Sequence, residues 1–462
     1  MYKRNSVSLT VNFIAGVLSI SPVLAQKNTN IPEGRPNVLL ILSDDHSVPY
    51  LGCYGNPDLK TPNLDRLAAE GIRFQNAFVT APQCVPSRAS IMTGRSTVDI
   101  GMLRFTAPLD RSIITYPELM KAQGYYIGVC GRTYHLDGTG QNPKESAETF
   151  QENNMVTFPD RFDYVNVGDD DHTTPQFEEF LAKVPKGKPF FMQAGFHDPH
   201  RIFDAFDFEP NPDNIKVPGV MPDTKLLRKD LAGHYGEIQR LDSNVGKLLA
   251  ALKKNGMLDN TLILFMGDNG AALLRGKGTL YNCGLHVPLI ARYPKLIKAG
   301  SISDILISGE DIGPSILEVV GVKPDTKMTG KSFMGVMKGD KKEIRDYAFA
   351  VRGTHGGSLP GNSASFDLSR TVFNKKYKLI YNPLFYLPYQ PVDFSGEGFW
   401  KELINLHKSQ SLPEKFESTY IFTAARPMFE LYDLENDPDE FNDLEGKKEY
   451  EMIELQLKTV CS

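Results

Sequence analysis

Four stretches of this chain are apolar almost without a break: residues 37–42 (Asn-Val-Leu-Leu-Ile-Leu), 125–130 (Tyr-Tyr-Ile-Gly-Val-Cys), 189–196 (Pro-Phe-Phe-Met-Gln-Ala-Gly-Phe) and 261–266 (Thr-Leu-Ile-Leu-Phe-Met). A strand with one wet face alternates apolar and polar residues, and these do not. Each reads as a strand buried on both faces, which is the condition of a parallel sheet covered by helices. Between them lie helical patterns. Thr61-Pro62-Asn63 is expected to cap a helix ending near Glu70-Gly71. Residues 227–255 carry apolar side chains at helical spacing, through Leu231, Ile238, Leu241, Val245, Leu248 and Leu249, and stop at Gly256. Strands alternating with helices predict an α/β fold with a large, mainly parallel sheet flanked by helices.

Three of the apolar runs end directly in polar clusters: Ser43-Asp44-Asp45, His197-Asp198-Pro199-His200 and Gly267-Asp268-Asn269-Gly270. Ligands of open α/β sheets bind beyond the carboxyl ends of the strands, so this placement predicts one shared site. Asp44, Asp45, Asp268 and Asn269 offer a hard, all-oxygen donor set, which suits Ca²⁺ or Mg²⁺.

After about residue 340 the pattern changes. Residues 354–367 are rich in Gly, Ser and Asn and read as a loop. Residues 370–374 and 376–381 read as two short strands joined by a tight turn, 429–433 as another, and 447–460 as a closing helix. The expected division is a catalytic domain over 26–340 and a smaller C-terminal α+β subdomain over 341–462. Residues 1–25 read as a secretory signal: Lys3 and Arg4, an apolar stretch near 11–20, and Val23-Leu24-Ala25 before Gln26. That predicts a secreted or periplasmic protein without stable membrane insertion, since the stretch is too short to span a bilayer. The net charge of −5 gives no electrostatic reason to expect nucleic acid. Of five cysteines, Cys53, Cys130, Cys283 and Cys461 permit disulfides after export, but their spacing fixes no pairing.

The fifth, Cys84, opens Cys-Val-Pro-Ser-Arg-Ala-Ser-Ile-Met-Thr-Gly-Arg, residues 84–95. A nucleophile followed by Pro and Arg at a helix start sits at a positive helix end, which suits an anionic substrate. His135 follows a strand, in Gly131-Arg132-Thr133-Tyr134-His135. One histidine of His135, His197 and His200 can serve as base and another as acid. Lys277, in Gly276-Lys277-Gly278-Thr279, adds a positive charge near the Asp268 loop.

Cys-x-Pro-Ser-Arg followed by Thr-Gly-Arg resembles the signature of type I sulfatases, members of the alkaline phosphatase superfamily. Residues 37–45, 131–135, 197–200, 268–270 and 276–279 match that family in order. The resemblance implies an alkaline phosphatase-like sulfatase fold over about residues 35–445. It implies that Cys84 is oxidised to formylglycine by a separate maturation enzyme, either a formylglycine-generating or an anaerobic one. Formylglycine at Cys84 is then nucleophile and metal ligand, beside Asp44, Asp45, Asp268 and Asn269 around Ca²⁺. Arg88 holds the hydrated aldehyde, and His135 is the base that releases sulfate. His200 and Lys277 contact the sulfate and protonate the leaving group, and His197 supports His200 or binds substrate. The family usually has Gly-Lys-x-His where this chain has Arg132 and one extra residue before His135. Arg132 is the expected sulfate-binding counterpart, with a planar fork in place of an ammonium.

Within the family, Phe196-His197-Asp198-Pro199-His200-Arg201 and the strand pair over 370–382 look most like heparan N-sulfatase. That implies a sulfated saccharide substrate, with the N-sulfate of glucosamine in a heparan-type glycosaminoglycan as the expected bond. Two enzymatic alternatives keep the same residues. One is an O-sulfatase for a sulfated hexose, uronate or aryl ester; the other is a phosphonate or phosphate ester hydrolase of the same superfamily. A sugar-binding protein with a decayed site would lack ligands, and every core position except Arg132 carries the expected residue.

Overall fold

The computed structural model describes residues 34–104, 108–133, 135–136, 144–355, 362–419 and 425–461. The expected signal segment and part of the 354–367 loop lie outside them. The main sheet has eight strands: β1 Asn37–Ser43, β2 Ile72–Phe78, β3 Tyr126–Gly131, β4 Tyr164–Val167, β5 Phe190–Gly195, β6 Thr261–Gly267, β7 Leu289–Arg292 and β8 Ser301–Ser308. Their order is β4-β3-β5-β1-β6-β7-β2-β8. All pairs are parallel except the two made by β7, which runs antiparallel to β6 and β2. The four strands expected from the sequence, β3, β5, β1 and β6, are contiguous at the centre of this sheet.

Their uninterrupted apolar character has the anticipated cause. Val38, Leu40 and Leu42 of β1 enter one hydrophobic core, with Leu262, Leu264 and Met266 of β6. Leu39 and Ile41, with Ile263 and Phe265, enter a second core on the opposite face. Each such side chain contributes roughly 1.5–3 kcal/mol of transfer free energy, so neither face tolerates a polar substitution. The helix Lys225–Lys254 covers the second face through Leu231, Ile238, Leu241, Val245 and Leu248. Thr224 caps its N-terminus by accepting the Leu227 amide at 3.2 Å, and left-handed Gly256 follows its end. The helix Cys84–Thr93 covers the first face through Val85, Ala89, Ile91 and Met92.

One local expectation is corrected. Thr61 precedes the helix Pro62–Ala69, but its hydroxyl does not cap it. It accepts from Gly52 N and donates to Asp65 Oδ1, both at 3.0 Å. Asp242 of the long helix does the capping instead, accepting the Asn63 and Leu64 amides at 3.2 and 2.8 Å. A cap supplied from 178 to 179 residues away leaves no local sequence signal.

The C-terminal segment forms an antiparallel sheet of four strands in the order β12-β11-β10-β9: β9 Ala348–Val351, β10 Arg370–Phe373, β11 Tyr377–Tyr381 and β12 Phe429–Asp433. Ala348, Ala350, Phe373, Ile380 and Tyr432 join the first core. Val372, Leu379 and Leu431 pack with Leu457 of the closing helix Glu451–Cys461. That helix begins later than its sequence pattern suggested, after a 3₁₀ turn over Lys448–Tyr450. No helix among the described residues is long and apolar enough to cross a membrane. All five cysteines are free thiols.

Candidate active site

The central strands are tied together just where they end. Phe196 N donates to Leu42 O at 2.8 Å, Asp44 N to Asp198 O at 3.1 Å, Asp268 N to Ser43 O at 3.0 Å and Arg132 N to Gly195 O at 3.1 Å. These bonds carry the sheet ladder one or two residues past the strands and fix the polar clusters side by side. Gly131 makes the approach of β3 to β5 feasible. Its φ is 73°, and a Cβ there would lie 2.0 Å from Gly195 O.

The three acidic residues converge in a dry centre; Asp44, Asp45 and Asp268 are all fully buried. Cys84, the first residue of its helix, points its Sγ at Asp44 Oδ1 (3.3 Å) and Asp45 Oδ1 (3.9 Å). Arg88, one helical turn on, bridges Asp268 Oδ2 through Nε (2.6 Å) and Asp44 Oδ2 through Nη2 (3.2 Å). Positions i and i+4 share a helix face, so the Cys-x-Pro-Ser-Arg spacing puts nucleophile and cation together. Arg132 Nε bonds Asp44 Oδ2, and its Nη2 lies 3.2 Å from His135 Nε2. Lys277 Nζ donates to Asp45 Oδ2 at 3.0 Å and lies 2.9 Å from Oδ1, to which Asn269 Nδ2 donates at 2.8 Å. His200 Nε2 stands 3.7 Å from Asp45 Oδ2, and the His197 ring packs edge-on against it at 4.9 Å. Every site residue expected from the sequence is thus in one cluster.

The electrostatics follow from burial. It works to raise the Asp44 carboxyl, but Arg132 and Arg88 outweigh it and hold Asp44 well below the usual range. Asp45 and Asp268 are each pushed up to about 7 by burial and by the charge of Asp44, against the pull of Lys277 and Arg88 respectively. Carboxylates that raise one another are short of positive charge. The Asn269 Oδ1, fully buried, finds no hydrogen-bond partner among the described residues. Crowded hard oxygens and one orphaned acceptor fit a divalent cation held by Asp44, Asp45, Asp268 and Asn269. The ligating atoms of Asp44, Asp45 and His200 lie within 4.8 Å of one another, as do those of Asp44, Cys84 and His135.

Burial, and next the charge of Asp44, push the Cys84 thiol well above its ordinary value. It stays protonated, so the unmodified side chain is a poor nucleophile. Burial also lowers all three histidines. Arg132 adds to the effect at His135 and at His197 (to about 3), and Lys277 at His200 (to about 3). They are neutral imidazoles, each able to take a proton. Lys277 resists burial because Asp45 holds it charged.

Sequence reasoning missed three members of the site, Asp393, His355 and Gln83. Asp393 Oδ2 accepts from Lys277 Nζ at 2.6 Å and lies 3.6 Å from His200 Nε2. His355 Nε2 is 3.5 Å from Asp393 Oδ1, and its Nδ1 is 3.1 Å from Gln83 Nε2. Asp393 and His355 come from the C-terminal segment, in stretches with no periodicity or motif to mark them.

Three comparisons agree with this architecture. The family model described as Sulfatase matches residues 36–322, and one described as N-sulphoglucosamine sulphohydrolase, C-terminal, matches residues 274–388. An ulvan-active sulfatase of Formosa agariphila is 29% identical over 93% of this chain and 74% of its own. The human N-sulphoglucosamine sulphohydrolase is 28% identical over 89% of this chain and 86% of its own. A solved structure of a protein in complex with its substrate D-glucosamine-2-N,6-O-disulfate shares the fold, with a TM-score of 0.66, 22% identity, and coverage of 92% of this chain and 97% of that one. The chain belongs to the sulfatase family, hydrolases of sulfuric esters and sulfamates.

Proposed function

We propose that this sulfatase removes sulfate from a sulfated sugar, and that its bond is the N-sulfate of glucosamine in a heparan-type saccharide. One observation carries the choice of bond: the match over residues 274–388 to the C-terminal model of N-sulphoglucosamine sulphohydrolase, the region that brings Lys277 and His355 to the site. The human relative of that name supports it. A second reading, an O-sulfatase, is favoured by an N-acetylglucosamine-6-O-sulfatase of Bacteroides thetaiotaomicron, 24% identical over 92% of this chain and 85% of its own.

In this reading Cys84 is converted to formylglycine by a maturation enzyme, and the hydrated aldehyde supplies the nucleophile that a buried thiol cannot. Asp44, Asp45, Asp268 and Asn269 would hold Ca²⁺, which when bound would offset the charge of sulfate oxygens. Arg88, clamped by Asp44 and Asp268, is fixed beside position 84 and orients the group there. Arg132 and Lys277 bring positive charge to the sulfate. His135, neutral and 3.2 Å from Arg132, takes a proton at ring nitrogen during sulfate release. Lys277 donates N–H to the leaving nitrogen or oxygen, and His200, whose Nδ1 donates to Arg201 O, joins it as an acid only in the form protonated at Nε2. The bridging nitrogen of a sulfamate takes a proton more readily than the bridging oxygen of a sulfate ester, and once protonated it leaves as a neutral amine. Export through the segment 1–25 belongs to the same reading.

The test uses Ca²⁺-loaded protein whose residue 84 peptide has been weighed for conversion. Sulfate release is compared between glucosamine N-sulfate and glucosamine 6-O-sulfate. Release from the N-sulfate alone supports the proposal. Release from the 6-O-sulfate alone refutes the N-sulfate and leaves the O-sulfatase. If neither reacts, other sulfated sugars and phosphonate monoesters are the next substrates.

A further inference from the structure

We infer that Asp393 is a positioning residue that holds Lys277 on the substrate side of the site once a cation claims the oxygens of Asp45, and that the C-terminal segment thereby completes the catalytic centre. The inference rests on the sulfatase reading for what Lys277 does, but its geometry stands alone.

Lys277 is 1% exposed and has two carboxylate partners, Asp45 and Asp393. Asp45 belongs to the oxygen cluster that fits a divalent cation. Such a cation competes for the oxygens that Lys277 now bonds, and it repels the ammonium. Asp393 does not face Cys84 or Asp268; its partners are Lys277, His200 and His355. It is the acceptor left to Lys277 when Asp45 turns to a metal. The charge balance agrees. Asp44, Asp45, Asp268 and Asp393 face Arg88, Arg132 and Lys277, four negative groups against three positive. A divalent cation and a singly charged sulfate ester bring the sum to zero. Without Asp393 the loaded site would keep an uncompensated positive charge beside the group that must donate a proton.

A directed chain of hydrogen bonds orients Asp393. The Gln83 Oε1 accepts the Gly353 amide at 3.4 Å, which fixes the side-chain amide with Nε2 turned to His355 Nδ1. That nitrogen must accept, so the neutral ring carries its proton on Nε2 and donates toward Asp393 Oδ1. The other oxygen is left for Lys277. The backbone at Asp393 sits at φ 67°, a left-handed conformation that Asp tolerates better than most residues. Gln83 is also the residue before the helix of Cys84, so the chain runs from the base of the nucleophile to the far side of the site.

Asp393→Asn keeps the size and removes the charge. With 4-nitrophenyl sulfate and with glucosamine N-sulfate, kcat is expected to fall by about tenfold or more, while KM stays near that of the parent. Ca²⁺ content and melting temperature are expected to match the parent. In a Lys277→Ala background the same substitution is expected to change kcat little, because Asp393 acts through Lys277. His355→Gln, which keeps an N–H donor, is expected to retain more activity than His355→Ala. A readout without turnover is reductive methylation followed by peptide mass analysis. Lys277 is expected to react faster in Asp393→Asn than in the parent, other lysines being unchanged. An undiminished kcat, an equal loss in the Lys277→Ala background, or unchanged methylation of Lys277 would each overturn the inference. If converted, Ca²⁺-loaded parent protein cleaves neither substrate, the substrate reading fails, and the methylation result still decides the role of Asp393.

Discussion

Arg88 is the residue whose removal has the most calculable consequence. It is 2% exposed and is the only side chain bridging Asp44 to Asp268 among the described residues. Arg88→Met keeps much of the volume and deletes the guanidinium. Breaking a buried ion pair by removing one partner costs about 3–5 kcal/mol, because the remaining charge stays desolvated. Here two carboxylates are stranded, and the imbalance of the site grows from one negative charge to two. Unfolding entropy of about 2.1 cal/mol/K per residue gives a chain of 462 residues roughly 1 kcal/mol per kelvin near its melting point. The expected fall in Tm in chelator at pH 8 is therefore about 3–5 °C, measured by calorimetry. Ca²⁺ should then raise the Tm of the variant by more than that of the parent, since the cation replaces the missing charge and binds only the folded site. A variant that melts within about 1 °C of the parent in chelator, or that gains no more from Ca²⁺, would refute the reasoning.

Cys84→Ala is expected to abolish sulfate release and leave the melting curve near that of the parent, because a small apolar side chain suits the buried position; residual turnover above a few per cent of parent would remove Cys84 as the nucleophile. Glu118 accepts the Thr115 amide at 2.9 Å and Arg161 Nη1 at 2.8 Å, and although burial alone would raise it, these contacts lower its pKa from the ordinary 4.5. A lowered carboxylate adds stability above its unfolded value and loses it as pH falls through the folded one. Glu118→Gln should therefore lower Tm at pH 7, and the gap should narrow as pH falls below 4.5 and through the lowered folded pKa; a constant offset across that range would sink the assignment. Gly131→Ala places a methyl 2.0 Å from Gly195 O at a left-handed φ, so soluble yield or Tm should drop sharply; parental melting would show that β3 and β5 can part at little cost.

Burial on two faces was written in the chain, because a strand with no wet face has nowhere to place polar residues. This is why β1, β3, β5 and β6 were legible and their outer neighbours were not. The half-exposed β2, Ile-Arg-Phe-Gln-Asn-Ala-Phe, mixes both characters, and the first half of β8, Ser-Ile-Ser-Asp, is wet. At four residues each, β4, β7 and β9 are too short for a period to show, and unlike the equally short β10 they have no tight turn to a partner strand to mark them. The site followed the same rule. Asp44, Asp45, Asp268, Asn269, His197 and His200 were legible because each ends a legible strand, and Cys84 with Arg88 because helix geometry makes i and i+4 neighbours.

Tertiary structure alone decided the rest. Asp242 caps a helix through Asn63, 179 residues away, while Asp393 reaches Lys277 and His355 reaches Asp393 from segments with no pattern of their own. Their chemistry depends on distance in space, which the fold sets by seating the small antiparallel sheet against the first core and Phe394, beside Asp393, in the second. Local sequence records what a residue needs from its neighbours in the chain; it holds no record of a partner that only folding delivers.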